Sequence, residues 1–395
     1  MDWERENMEM ILAAMLMMWG NVSSANPDVT MEQLMQASMQ APAIEEEYDP
    51  LRPVLKIDPQ PDAPPVRGIY VTAHSAGGAR MNTLLELIDE TELNAMVIDV
   101  KDDWGNITYA TNNPELEAYD TTYKIIPDIN KLMDTLKEHE VYPIARIVVF
   151  KDTILANKRP DLSFVQPDGT LWANGKKPPE SFVNPYRKEV WDYNIEIAKE
   201  AAKAGFKEIQ FDYVRFPEGF EKRADILQYD KDERSRIEAV AGFVKYAREQ
   251  LNPLGVRVSV DIFGYAASVP AAEGIGQDFE KISLNVDVIS AMVYPSHYTT
   301  GWYGVNVPDA EPYTVISGSS VDTHKKLEPL GPLKPIVRPW IQDFTASWVP
   351  GYIPYGKKEI EEQVRALNDN GINEFLLWNA SNKYTSGVNY IDPSP

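Results

Sequence analysis

Arg187–Pro217 reads RKEVWDYNIEIAKEAAKAGFKEIQFDYVRFP. Its first part, Arg187–Ala204, carries apolar residues near i, i+3 and i+4, the spacing of an amphipathic helix. Gly205 follows, where a helix C-terminus favours glycine. Then comes a short β-rich run, Glu208–Tyr213, that turns acidic at its end. Helix, glycine stop and strand make one α/β unit.

That unit recurs along the chain. β-rich runs lie at Arg67–Thr72, Ala95–Val100, Tyr142–Val149, Glu208–Tyr213, Arg257–Phe263, Val286–Val293, Lys334–Ile341 and Glu374–Trp378. Helical patterns lie between them at Arg80–Thr91, Asp128–His139, Arg187–Ala204, Ser235–Gln250 and Lys357–Asn370. Asn252-Pro253 and Asn370-Gly371 are further helix stops. Near-continuous apolar strands alternating with helices predict a parallel sheet covered on both faces. Eight strands of this kind predict an α/β fold, a (β/α)8 TIM barrel, as a single main domain with an N-terminal extension. The first strand is followed by His74-Ser75-Ala76-Gly77-Gly78, which fails the dinucleotide-binding glycine spacing, so no cofactor is expected. The long segments Phe150–Pro185 and Tyr294–Asp322 are expected as loops at the top of the barrel, where barrel enzymes keep their chemistry.

Three regions follow: an N-terminal segment 1–41, a Pro-rich acidic tether 42–65, and the barrel 66–395. Nine of the 13 Met fall within residues 1–39. Met10–Trp19 is an apolar run followed by Ser23-Ser24-Ala25, the layout of a secretory signal. Asp2, Glu4, Glu6 and Glu9 surround Arg5, where a signal carries positive charge, so a short amphipathic helix is the competing reading. The run is too short to span a bilayer, and no transmembrane span is expected. Seven prolines in residues 42–65 fix φ and remove backbone donors, which predicts an extended tether.

Composition excludes several functions. The 395 residues carry 38 Lys plus Arg against 60 Asp plus Glu, a net charge of −22. Nucleic acid is not an expected partner, because its binders need a positive footprint. With no cysteine there is no disulfide, thiolate nucleophile or zinc–thiolate site. The four histidines show no metal-binding spacing, so no metal is expected. No Gly-x-Ser-x-Gly elbow marks a serine hydrolase. The 9 Trp and 20 Tyr suit a carbohydrate-stacking cleft or a well-packed barrel.

The informative feature is polar strand ends. Asp99 and Lys101 close the second strand; Arg146 sits in the third, which reaches Lys151. The fourth runs through Gln210, Asp212, Tyr213 and Arg215; the fifth carries Asp261. The sixth leads to Tyr294 and His297, the seventh holds Arg338, Trp340 and Gln342, and the eighth ends at Trp378. Alternation places Arg338, Trp340 and Gln342 on one side, and forbids Asp102 and Asp103 from both facing inward. Asp212 and Asp261 occupy equivalent ends of neighbouring strands, which lie about 4.8 Å apart, close enough for the roughly 5–5.5 Å of a retaining glycosidase pair. A nearby cation, Arg146 or Arg215, would hold one carboxylate ionised, while a buried, unpaired partner would serve as acid.

Phe211–Pro217 resembles the signature of a bacterial family of glycoside hydrolases, placed among the (β/α)8 sugar hydrolases near the α-amylase-like barrels. Similar stretches include Arg67–Thr72, Val97–Asp103, Ala145–Asp152, Val260–Gly264, Met292–Tyr298, Arg338–Gln342 and Leu377–Ala380, so the resemblance spans Val66–Ser381. It implies a nucleophilic Asp after the fourth strand, which Asp212 matches. It implies a Glu acid after the fifth, where this chain has the shorter Asp261; Glu218 is the substitute acid.

The expected function is therefore hydrolysis of a bacterial envelope or exopolysaccharide glycan, outside the cell or in its envelope. Asp212 and Asp261 are the expected catalytic pair. Asp99, Lys101, Arg146, Lys151, Tyr213, Arg215, Tyr294, His297, Arg338, Trp340, Gln342 and Trp378 are the expected substrate contacts. The partner is a poly- or oligosaccharide, with neutral or amino sugars favoured by the acidic chain. A non-catalytic glycan-binding barrel and a metal-assisted hydrolase are the rivals.

Overall fold

The computed structural model describes residues 57–393. Residues 1–41, and the tether up to residue 56, lie outside the described part. One all-parallel sheet contains β1 (Arg67–Val71), β2 (Ala95–Lys101), β3 (Tyr142–Val148), β4 (Glu208–Asp212), β5 (Arg257–Phe263), β6 (Val288–Met292), β7 (Ile336–Val337), β8 (Trp340–Gln342) and β9 (Phe375–Trp378). Neighbours run β5-β4-β3-β2-β1-β9-β8-β6-β7, and a further β5–β6 pairing closes the ring. β7 and β8 are two pieces of one stave, interrupted at Arg338-Pro339, because proline has no N–H for the ladder. The closed barrel thus has eight staves, and each expected strand supplies one.

Helices α1 (Arg80–Asp89), α2 (Ile129–Glu138), α3 (Lys188–Ala204), α4 (Arg236–Leu251), α5 (Phe279–Leu284), α6 (Pro312–Leu327) and α7 (Lys357–Asp369) surround it. α3 buries Val190, Trp191, Ile197, Ala198 and Ala201, and ends where Gly205 takes a left-handed φ of 114°. α4 starts with a capping box: Ser235 Oγ accepts from the Glu238 N–H, and Glu238 accepts from the Ser235 N–H, worth about 1 kcal/mol.

α6 corrects one expectation. Its residues fall partly within Tyr294–Asp322, read from the sequence as loop. The buried face of α6 is Val315, Ile316, Ser319, Ser320, Thr323 and Leu327, so hydroxyl groups replace much of the apolar stripe that would reveal a helix. Gly318 lies in its middle because a β-carbon there would come within 2.3 Å of the Tyr303 ring.

The main core fills the layer between strands and helices. The barrel interior is smaller and mixed: Tyr70, Val97, Tyr142, Ile144, Trp340 and Leu376 are interleaved with charged groups. At the bottom, Arg338 donates to both carboxylate oxygens of Glu208 (2.8 and 2.9 Å) and to Glu374 (2.8 Å). Asp58 and Gln60 pack beneath this layer. Arg257, at the start of β5, donates to the Asp58 carboxylate at 2.8 and 2.6 Å and to the Gln60 carbonyl at 2.8 Å. Among the described residues no helix is long and apolar enough to cross a membrane.

Candidate active site

β4 alternates Glu208, Gln210 and Asp212 toward the barrel interior, so the acid arrives at the carboxyl end facing in. β5 does the same with Ser259 and Asp261. The two strands pair Phe211 with Val260; one step further brings Asp212 beside Asp261, on strands about 4.8 Å apart. Both acids line a cleft of about 480 Å³ at the carboxyl ends of the staves, inside the roughly 300–1,000 Å³ typical of small-molecule sites. Larger hollows of about 650 and 740 Å³ lie beside α3 and next to Pro59–Pro64, away from these acids.

The two acids sit in opposite electrostatic settings. Asp212 Oδ2 accepts from Arg146 Nε at 3.0 Å and from Nη2 at 2.6 Å. Its Oδ1 accepts from the N–H of Tyr213 at 2.6 Å. Asp261 has no such cation; its Oδ1 accepts from the Trp340 indole N–H at 2.7 Å. Burial lifts the Asp261 carboxyl well above the ordinary range, the neighbouring Asp212 charge lifts it further, and the Trp340 and Arg146 interactions oppose without prevailing. Burial therefore favours the protonated form of Asp261.

Arg146 is the hub beneath the cleft. Its Nη1 also reaches Asp99 at 2.7 Å and Asp103 at 3.2 Å. Burial pushes Asp99 up to about 6, with Arg146 pulling the other way, and Tyr70 donates to its second oxygen at 2.6 Å. Burial also acts against the Asp103 charge, but Arg146 and Lys151 outweigh it and hold that carboxyl well below its usual value. Asp99, Asp103 and Asp212 thus converge on one guanidinium. Among the described residues no group of three or more His, Asp or Glu is arranged to hold a metal ion.

Tyr213 follows Asp212 with a left-handed φ of 52°, strained for a residue with a side chain. That turn places its ring between Lys151, 4.0 Å from the centroid, and Arg215, at 4.9 Å. Arg215 also pairs with Glu218 at 3.2 Å. Trp378 stacks on Tyr70 with centroids 4.1 Å apart.

Of the residues expected from the sequence, Arg146, Asp212, Tyr213, Arg215, Asp261, Tyr294, His297, Trp340 and Trp378 line the cleft together, with Glu218 at its rim. Asp99 and Lys151 do not; they stand behind it and act on Arg146 and Asp103. Three further expected contacts are corrected. Lys101 pairs with Asp152 at 2.6 Å, both side chains fully buried, and donates to Asn194 of α3 at 3.0 Å. A register shift between Asp99 and Lys101 turns it to the outer face, where strict alternation would put it inside. Arg338 faces inward but belongs to the bottom layer with Glu208. Gln342 is buried in the wall, donating to Asp309 and accepting from the N–H of Ser296.

Cleft residues not foreseen are Asp103, Phe263, Gly264, Tyr265, Met292 and Tyr298. Phe263 and Tyr265 stand two and four positions after Asp261, so the alternation that placed Asp261 inward was also their signal. Asp102 accepts from the N–H groups of Trp104, Gly105 and Asn106, which leaves Asp103 to face the cleft.

No curated protein matches the chain. A hypothetical protein from Ruminiclostridium thermocellum is 34% identical over 49% of this chain and 96% of its own, with a TM-score of 0.44. The PgaB (BpsB) glycoside hydrolase domain from Bordetella bronchiseptica superposes with a TM-score of 0.55 at 14% identity, covering 80% of this chain and 94% of that one, a likeness of fold. The α-galactosidase TtGalA from Thermus thermophilus gives a TM-score of 0.48 at 13% identity, over 82% of this chain and 60% of its own. The family described as "Putative glycosyl hydrolase domain" matches residues 68–384. The chain belongs to that family, and its barrel is that of a glycoside hydrolase.

Proposed function

We propose that the protein cleaves a bacterial envelope or exopolysaccharide glycan, in the envelope or outside the cell, with Asp212 as nucleophile and Asp261 as acid and base. One observation carries this reading: two carboxylates share a cleft, one paired with a guanidinium and the other kept protonated by burial. The indole N–H of Trp340 can only donate, and a protonated carboxyl accepts best at its carbonyl oxygen, so Asp261 Oδ1 takes that role and Oδ2 carries the proton. That proton passes to the glycosidic oxygen as the bond to the anomeric carbon breaks. Arg146 donates twice to Asp212 Oδ2, and the Tyr213 N–H donates once to Oδ1; Oδ1 attacks the anomeric carbon through its remaining lone pair. Asp261, now ionised, takes a proton from the water that releases the glycosyl group and is ready again. Tyr294, His297 and Arg215 supply polar contacts for sugar hydroxyls, and Trp340 and Trp378 give the cleft its aromatic walls.

The test is turnover of envelope glycans, exopolysaccharides and chromogenic glycosides by the wild type, Asp212→Asn and Asp261→Asn. Loss of a general acid costs about 10²- to 10⁴-fold, and less on nitrophenyl glycosides, whose leaving group needs little protonation. Undiminished turnover by Asp212→Asn would end the assignment.

A further inference from the structure

We infer that the enzyme is endo-acting: its glycan chain lies across the whole barrel mouth, with sugar-binding positions on both sides of the Asp212–Asp261 pair. The inference rests on the function proposed above and specifies its substrate as a polymer cut internally.

On one side the cleft continues past Arg215. A second hollow of about 240 Å³ shares Tyr213, Arg215 and Glu218 with the cleft and is closed by Trp172, Asn174 and Glu180 from the loop after β3. Asn174 donates to Glu180 at 2.8 Å, and Lys176 pairs with the same carboxylate at 3.0 Å. This rim offers an amide, an ammonium and a carboxylate, groups that hydrogen-bond sugar hydroxyls. The hollow therefore adjoins the third and fourth staves.

On the other side runs a row of rings. Trp378 and Tyr294, both in the cleft, have centroids 6.4 Å apart. Tyr294 and Phe344 are 6.0 Å apart. Phe344 and Trp348 are stacked at 6.0 Å with planes 16° apart. Trp348 is 66% exposed, although it stands at the end of a packed aromatic file. A flat exposed indole beside a sugar-sized cleft matches the apolar face of a pyranose. Phe344 and Trp348 follow the seventh stave and Trp378 ends the eighth. In a ring of eight staves, the seventh and eighth lie opposite the third and fourth.

Hollow and ring row thus lie on opposite sides of the mouth, with the carboxylates between them. A mouth that binds at both ends holds the interior of a chain. One that trims ends needs binding on a single side.

The test compares polymer and short substrate. Trp348→Ala removes the outer ring. Gly175→Trp fills the hollow, since no heavy atom lies within 4 Å of a β-carbon built there. Both are assayed on the glycan panel and on nitrophenyl glycosides, with circular dichroism to confirm folding. Asp212→Asn carrying each change is run in native gels containing the same polysaccharides. Wild type is expected to release mid-length fragments first. Each variant is expected to lower the ratio of polymer to nitrophenyl-glycoside turnover by roughly two- to tenfold, Trp348→Ala through the loss of one stacking contact and Gly175→Trp through the loss of one sugar position, and to lose gel retardation in step. Release of single sugars from the start, or variants with the wild-type ratio, would overturn the inference. Turnover of nitrophenyl glycosides with no polymer cut or retained would also overturn it and leave the hydrolase reading standing. No turnover of any glycan or glycoside would remove both.

Discussion

The indole nitrogen of Trp340 donates a 2.7 Å hydrogen bond to Oδ1 of Asp261. A residue of the seventh stave thereby fixes the acid of the fifth across the barrel interior. Asp261 donates only while protonated, so activity is lost as pH rises through its raised pKa. The indole bond favours the charged form. Trp340→Phe therefore moves the basic limb of the kcat/KM profile to higher pH. It also leaves a buried acceptor without its donor, at a cost of about 1–3 kcal/mol in stability. A basic limb that stays in place or moves down would separate Asp261 from that limb.

Arg146 binds Asp212 through two nitrogens and reaches Asp99 and Asp103 through the third. A lysine ammonium is a single point and cannot reproduce this fork. Arg146→Met leaves Asp99 and Asp212 without their counter-charge and Asp103 with Lys151 alone, and is expected to cost about 3–5 kcal/mol in urea unfolding. Arg146→Lys keeps the charge and loses less stability. Its defect is expected in kcat more than in KM, because Arg146 holds the nucleophile. Wild-type kcat in Arg146→Lys would contradict that role.

Arg338 serves stability instead. It is wholly buried among Glu208 and Glu374, below the cleft. Arg338→Met strands the Glu208 carboxylate, with an expected loss of about 3–5 kcal/mol. Turnover per folded molecule is expected to stay at the wild-type level. A selective loss of turnover with stability intact would return Arg338 to the site.

The contrast between Arg338 and Trp340 shows what the chain order can tell. Alternation puts both on the inner face, and both are there. It does not say how deep in the barrel each one lies, and two residues of rise separate a structural layer from a cleft wall. Lys101 fails differently. One register shift reverses its face, and nothing in Val97–Asp103 announces the shift. α6 was hidden because its buried side is rich in serine and threonine. The strands were legible because each is a short apolar run, and the carboxylate pair because equivalent ends of consecutive strands are neighbours in a parallel barrel.

Asp343, just after β8, offers a pH test of stability away from the carboxylate pair. It is 3% exposed. Burial raises its carboxyl from 3.8 to about 6, although Thr385 donates to it from both its N–H and its hydroxyl. A folded pKa above the unfolded one means that the native state holds the proton more tightly. Asp343 therefore costs nothing below the unfolded value, and its cost grows as pH rises toward 6. Above both values the penalty reaches about 3 kcal/mol. Asp343→Asn removes the charge and keeps the contacts: its carbonyl accepts from the Thr385 N–H, and its amide donates to the hydroxyl oxygen. Guanidinium unfolding should find this variant more stable than wild type at pH 8 and equal to it near pH 4. Equal stability at both pH values would mean that Asp343 is ionised in the native barrel at no cost, with its Thr385 bonds outweighing burial.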